Sequence, residues 1–282
     1  MPIGFIGLGN LGTAVVTRLK EVGAEVLTYN RTKEKAISKG FDVVDTPKEL
    51  LKKCDVIFLC LFDSSAVDNI LHMEDGLLCE ELKGKTVIDL STHHFEDVLE
   101  VHKIMEEFEV KYLENPVFGS VTPALAGVLT LVASGKKEVY DEVKPLLEKI
   151  GKEIFFLGKQ GSATKMKLIN NLCLGSFMAT IAECTSLAED CEIPKEKALD
   201  ILGVGGGTSL VLNAKKQKLI TENFSAHFSN DAINKDLHCL QDLAYKMKKP
   251  LYSAAIPKEL FSKMKMMGKG DEDFSSIYQL FK

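Results

Sequence analysis

Gly7-Leu8-Gly9-Asn10-Leu11-Gly12 stands directly after the apolar run Ile3-Gly4-Phe5-Ile6 and directly before an amphipathic stretch that begins near Leu11. A strand, three glycines at this spacing and a helix in immediate succession leave few folds open. The first glycine permits a tight turn, the second lets a ligand approach the backbone, and the third lets the helix pack closely on the strand. The free N–H groups and dipole of the helix N-terminus then favour an anion such as a pyrophosphate. Without the flanking strand and helix the same hexapeptide would be only a glycine-rich turn, so the order of elements carries the inference.

The alternation begun there continues. Short apolar runs at 3–6, 25–29, 56–61, 86–89, 111–114, 128–133 and 153–157 are separated by helical patterns at 11–22, 33–39, 47–53, 64–71, 95–108 and 137–150. Strands joined by crossover helices form a mainly parallel sheet. After Gly161 the alternation stops, and one apolar-periodic segment over 163–191 reads as a single helix roughly 42 Å long at about 1.5 Å per residue. Further helical patterns follow at 194–202, 209–219, 229–247 and 251–267, with a last turn near 275–281. The expected architecture is an α/β Rossmann-type doubly wound sheet over 1–160 followed by an all-α C-terminal domain over 161–282.

The second strand ends Val26-Leu27-Thr28-Tyr29-Asn30-Arg31-Thr32. An NAD-binding chain places Asp or Glu near this point to hold the ribose 2′-hydroxyl. Here Asn30 and Arg31 stand instead, a guanidinium can grip a 2′-phosphate with a forked pair of hydrogen bonds, and no carboxylate repels it. NADPH is therefore expected over NADH. A second glycine cluster, Gly203-Val204-Gly205-Gly206-Gly207-Thr208, follows a helical pattern and lacks a Gly-Lys-Ser/Thr ending, so it reads as a helix C-terminus whose glycines supply positive φ.

Composition removes several function classes. The formal net charge of −5 over 282 residues gives no basic surplus for a nucleic-acid partner. No run of apolar residues is long enough to span a bilayer, and Met1-Pro2-Ile3-Gly4 leads straight into a strand pattern without a charged leader. A cytoplasmic location is the expectation. The seven cysteines contain no Cys-x-x-Cys pair and are expected to be reduced; the six histidines show no His-x-x-x-His spacing, so no metal is expected.

Gly7 to Gly12 with Asn30-Arg31-Thr32, Asp89-Leu90-Ser91-Thr92, Pro116-Val117-Phe118-Gly119-Ser120, Gly161 to Asn171, Lys235-Asp236-Leu237 and the closing Gly268-Lys269-Gly270-Asp271-Glu272-Asp273-Phe274-Ser275 resemble successive blocks of the β-hydroxyacid dehydrogenase family. That family includes 3-hydroxyisobutyrate dehydrogenase, tartronate semialdehyde reductase and the glyoxylate and succinic semialdehyde reductases, and the similarity runs through the whole chain. The resemblance implies hydride exchange between NADP(H) and a small aldehyde acid or its hydroxy acid.

Such chemistry needs a group that exchanges a proton with the substrate oxygen. The resemblance gives that role to Lys167, with Asn171 one helical turn on and on the same face. It implies that Ser91, Thr92, Phe118, Gly119, Ser120, Asn171, Phe228 and Asp236 line the substrate position. Leu61, Phe62, Asp63, Thr92 and Lys235 would join Gly7, Leu8, Gly9, Asn10, Leu11, Gly12, Asn30, Arg31 and Thr32 around the cofactor. Phe118 departs from the family, where Ser is frequent, and is expected to make the pocket smaller or more apolar. An imine or other carbonyl-analogue reductase on the same scaffold is opposed by Lys167 with Asn171, and a non-enzymatic NADP-binding module predicts binding without turnover. A homo-oligomer, most simply a dimer, is expected from the long apolar helix.

Overall fold

The computed structural model describes residues 2–282, apart from the side chain of Glu80. In chain order the first part holds β1 (Ile3–Ile6), α1 (Asn10–Glu21), β2 (Val26–Tyr29), α2 (Lys33–Ile37), β3 (Asp42–Val43), α3 (Pro47–Lys53), β4 (Val56–Leu59), α4 (Ser64–His72), β5 (Thr86–Asp89) and α5 (Asp97–Glu107). There follow β6 (Lys111–Glu114), β7 (Val117–Phe118), α6 (Val121–Ala126), β8 (Leu129–Gly135), α7 (Lys137–Leu147) and β9 (Gly151–Gly158). The rest is α8 (Ser162–Asp190), α9 (Lys195–Val204), α10 (Leu210–Thr221), α11 (Asn230–Lys246), α12 (Tyr252–Met266) and a closing 3-10 segment, Phe274–Leu280. Two compact units result, Met1–Lys167 and Leu168–Lys282.

In the first unit the strands form one sheet in the order β3-β2-β1-β4-β5-β6-β8-β7, with β9 paired to β8. The pairs from β3 to β6 are parallel, whereas β8 runs antiparallel to β6 and β7 and parallel to β9. The strand order runs outward from β1 in both directions, toward β2 and β3 on one side and β4 to β6 on the other, so the crossovers change face between β1 and β4. Ligand crevices in doubly wound sheets open at the carboxyl ends of strands at such a point.

Alternation along the central strands divides the core between the two faces. Phe5, Phe58, Ile88 and Leu113 pack with Val15, Val16 and Leu19 of α1 and Val139, Val143 and Leu147 of α7. Their strand neighbours Ile6, Ile57, Leu59, Val87 and Tyr112 join Leu50, Leu51, Val101 and Met105 on the other face. Successive side chains of a strand point to opposite faces, so strands covered on both faces read as unbroken apolar runs.

In the second unit Gly175 of α8 lies against α11: a Cβ there would come within 3.1 Å of Leu237 Cδ1 and 3.5 Å of Phe261. Leu237, Leu240, Phe261, Phe274, Ile277 and Tyr278 are buried. Ser209 and Ser229 start α10 and α11 by accepting the N–H groups of Leu212 and Ala232.

Four elements were not visible in the sequence pattern: β3 and β7, two residues each, the six-residue α6 and a 3-10 turn at Glu80–Leu82. Two residues cannot display a period, so pairing partners decide such strands. The 203–208 cluster stands at a helix C-terminus, as expected, but its glycines do not supply positive φ. Gly203 lies inside α9, and Gly205 closes the helix at φ −85°, ψ −177°, which is extended backbone. None of these glycines has positive φ. The chain leaves α9 through an extended residue, so the left-handed cap that would have required glycine is not used.

Candidate active site

The glycine loop is built by exclusion. Gly7 has φ +101°, and a Cβ there would lie 2.3 Å from the Cys60 carbonyl oxygen; a Cβ on Gly12 would lie 2.0 Å from the Gly7 carbonyl oxygen. Gly9 has nothing within 4 Å of the equivalent position. Two glycines thus close the turn against β4 and α1, and the third leaves the backbone open on the outer side. Gly9 precedes the first residue of α1 and supplies no side-chain cap. Open backbone before a helix N-terminus suits a pyrophosphate, so these residues fit a dinucleotide.

Asn30 braces this loop. Its Oδ1 accepts the Leu8 N–H at 2.9 Å and its Nδ2 donates to the Thr32 carbonyl at 2.8 Å, which ties the glycine turn to the end of β2. Arg31 and Thr32 are exposed beside it. Asn10 is exposed and Leu11 half-buried at the start of α1.

The carboxyl ends of β4 and β5 are joined by Ser91. Its hydroxyl accepts the Leu61 N–H at 2.9 Å, and its own N–H donates to Asp89 Oδ1 at 2.9 Å. Ser91 is buried, Thr92 half-buried, and Phe62 exposed. Asp63 caps α4 by accepting the Ala66 N–H at 2.8 Å. Beneath this loop Asp89 Oδ2 meets both His93 Nε2 at 2.7 Å and the Tyr112 hydroxyl at 2.9 Å. Burial alone would raise the Asp89 carboxyl, but the His93 charge and hydrogen bonds from His93 and Ser91 hold it below its ordinary range. Burial and the Asp89 charge push the Tyr112 phenol well above its own.

Lys167 is 7% exposed. Its ammonium donates to the Val117 carbonyl at 2.9 Å and lies 5.1 Å from the Phe118 ring centroid. Both partners belong to β7, which pairs with β8 through Val117↔Leu131 and Phe118↔Thr130. Gly119, at φ +128°, turns the chain into Ser120 and α6; a Cβ there would meet Leu129 at 2.8 Å. The start of α8 is anchored by Glu114, whose carboxylate accepts the Gly161 and Thr164 N–H groups at 2.8 and 3.0 Å and binds His102 at 2.9 Å. Ser134 accepts the Ala163 N–H at 2.8 Å. These contacts satisfy N–H groups that the first helical turn leaves without partners.

Asn171 follows Lys167 by one turn of α8 and is fully buried. Its Nδ2 donates to Asp236 Oδ2 at 2.6 Å, and Lys235 Nζ lies 2.8 Å from Asp236 Oδ1. Asn170 donates to Asn171 Oδ1 at 3.2 Å. The Phe228 ring meets Phe274 edge-on at 5.6 Å, and its backbone is held by Asp273, which also pairs with buried Lys215 at 2.8 Å.

Within the first unit the structure therefore joins Leu8 with Asn30, Leu61 with Ser91, and Lys167 with Phe118; within the second it joins Asn171, Lys235 and Asp236. Sequence reasoning gave no role to Asp89, Glu114 or Asp273. Asp89 and Glu114 were visible as carboxylates ending largely apolar segments, a costly placement unless hydrogen-bonded, whereas Asp273 closes the charged run Asp271-Glu272-Asp273 and gave no such signal. Among the described residues no cluster of three or more His, Cys, Asp or Glu side chains could hold a metal, and no helix is long and apolar enough to cross a membrane.

Comparison with known proteins places both units. Residues 2–158 match the NAD binding domain of 6-phosphogluconate dehydrogenase, and residues 161–281 match the NAD-binding domain of NADP-dependent 3-hydroxyisobutyrate dehydrogenase. The cytokine-like nuclear factor N-PAC of Gallus gallus is 34% identical over 99% of this chain, which spans about half (51%) of that relative's length. Glyoxylate/succinic semialdehyde reductase 1 of Arabidopsis thaliana is 32% identical over 100% of this chain and 99% of its own. A solved structure of Psf3 in complex with NADP+ and 2-OPP is 27% identical, covers 99% of this chain and 100% of its own, and superposes with a TM-score of 0.92. By these matches over its whole length, the chain is a member of the β-hydroxyacid dehydrogenase family.

Proposed function

We propose that the chain is an NADPH-dependent reductase of a small aldehyde acid, reversible toward the hydroxy acid, in which Lys167 donates the proton. The carrying observation is the buried Lys167 ammonium, fixed on the Val117 carbonyl at the end of a strand in the nucleotide-binding unit. Burying a lysine is costly, and buried ionisable groups in such places mark sites of chemistry.

When bound, the nicotinamide supplies the hydride to the carbonyl carbon. Lys167 Nζ gives one proton to the carbonyl oxygen, leaving a neutral amine that is reprotonated from solvent. Asn171, fixed by Asp236, would hold the substrate oxygen, and the Gly119-Ser120 turn would meet the substrate carboxylate with backbone N–H groups. Arg31 would bind the cofactor 2′-phosphate and so favour NADPH over NADH. The full-length match to a glyoxylate/succinic semialdehyde reductase supports the substrate class, and the neighbour holding NADP+ supports the cofactor. We extend the proposal to a homo-oligomer in the cytoplasm, with light scattering as the check on its size.

A second reading is a nucleotide-binding module without turnover, favoured by the N-PAC relatives, which are named as a nuclear factor and are about twice as long. One experiment separates the two. NADPH oxidation is followed with glyoxylate, succinic semialdehyde, methylmalonate semialdehyde and tartronate semialdehyde, and binding of NADPH and NADH is measured by calorimetry for the wild type and Arg31→Ala. Turnover of at least one aldehyde acid is expected, with NADPH bound more tightly and the preference reduced in Arg31→Ala. Tight NADPH binding with no turnover would favour the second reading, and tighter binding of NADH would overturn the cofactor assignment.

A further inference from the structure

Val117 and Phe118 are consecutive residues of β7, yet they hold Lys167 in different ways. Val117 offers its backbone carbonyl at 2.9 Å, a contact that any residue at that position could make. Phe118 offers the face of its ring at 5.1 Å, within the range at which a ring quadrupole attracts an ammonium. Only an aromatic side chain can supply that contact. The ring is itself half-buried, and the pairing Phe118↔Thr130 with β8 fixes where it stands. The lysine reaches this position from a helix whose first turn is anchored on the same sheet by Glu114 and Ser134.

From this geometry we infer that Phe118 is a positioning residue for Lys167, its ring face acting as the shelf against which the ammonium is aimed. This rests on the reading of Lys167 as the proton donor. A lysine stem has four rotatable bonds, and the ammonium at its end can swing about any one contact. Contact with a ring face on a second side restricts that motion and favours the protonated amine over the neutral one, because the quadrupole attracts only the cation. Restricting that motion serves a group that must deliver a proton along one direction, so the residue at 118 controls the rate of the chemical step more than the binding of substrate or cofactor.

The test compares Phe118→Leu, Phe118→Tyr and Phe118→Ser in the full chain, with Lys167→Ala alongside, on an aldehyde acid that the wild type reduces. Leu keeps apolar bulk and removes the ring; Tyr keeps the ring. The expected result is that Leu lowers kcat about 3- to 30-fold, the range of a partly desolvated cation–π contact, with KM and the NADPH Kd changed less than about 2-fold. Tyr should restore kcat to within about 2-fold of the wild type, and Ser should fall with Leu. Full kcat in Phe118→Leu while Lys167→Ala is inactive would overturn this inference and leave the proton-donor reading standing. A change confined to KM would overturn it as well, making Phe118 a wall of the pocket. Full turnover in Lys167→Ala, or a wild type that reduces no aldehyde acid, would remove the proton-donor reading and this inference with it.

Discussion

The Glu114 carboxylate accepts the Thr164 N–H at 3.0 Å, three residues before Lys167 on the same helix. A buried acid from the end of β6 thus caps a helix far away in sequence, with Gly161 and His102 as its other partners. Glu114→Ala would strand two backbone donors and a buried histidine, at a cost of about 3 kcal/mol or more. Glu114→Gln keeps one accepting oxygen and should lose less. Urea unfolding measures both, and an unchanged midpoint in Glu114→Ala would contradict the capping role.

Lys167→Ala removes one ammonium from the proposed site, whereas the proposed cofactor contacts lie on the glycine loop and the end of β2. NADPH affinity should be retained within a few-fold, while kcat falls by on the order of 10²–10⁴. Asn171→Ala should lower kcat less, since it orients and does not donate the proton. Single-turnover rates with NADPH provide the comparison. An Asn171 variant slower than the Lys167 variant would reverse the assigned roles.

Gly9 and Gly12 differ in what surrounds them, and the same substitution should therefore fail in different ways. Alanine at Gly12 places a Cβ 2.0 Å from the Gly7 carbonyl oxygen, so the turn must deform and thermal stability should fall. Alanine at Gly9 meets nothing within 4 Å, and its φ of −69° is ordinary for any residue. Gly9→Ala should fold like the wild type but bind NADPH more weakly, because the methyl group occupies the open side of the loop. Thermal melting and calorimetry together distinguish the two outcomes; equal NADPH affinity in Gly9→Ala would place the cofactor elsewhere.

Asp89 should contribute to the loss of stability in acid. Its carboxyl is held below the ordinary range in the folded chain and returns to about 3.9 on unfolding. The folded state therefore binds that proton less readily than the unfolded state. The stabilisation is present above about pH 4 and is lost as the pH falls toward the folded value. Melting temperature followed from pH 5 to 3 should fall less steeply in Asp89→Asn than in the wild type, even though the variant starts lower because His93 and Tyr112 lose their charged partner. Parallel slopes would show that other carboxylates dominate the acid limb.

The sequence by itself determined the elements whose pattern is local: a glycine hexapeptide between strand and helix, doubly covered strands such as 56–59 that read as apolar runs, and the long helix that carries Lys167 and Asn171 one turn apart. Such features depend on spacings of one to four residues along a single element, so no knowledge of partners is needed. Tertiary structure decided the rest. β7 has two residues and no period, and exists because Val117 and Phe118 pair with Leu131 and Thr130. Sequence placed Phe118 in the pocket as a bulky substitute for serine; only the packing of α8 on the sheet put its ring beside the Lys167 ammonium. Asn30 stands where the sequence suggested a ribose contact, and the fold also turns its amide onto the Leu8 N–H. Asp89 and Glu114 looked like charges at the ends of apolar runs, and Asp273 like one more charge in a polar run, until donors distant in sequence converged on them. A buried carboxylate is tolerated only where such donors meet it, and that meeting is a property of the folded chain.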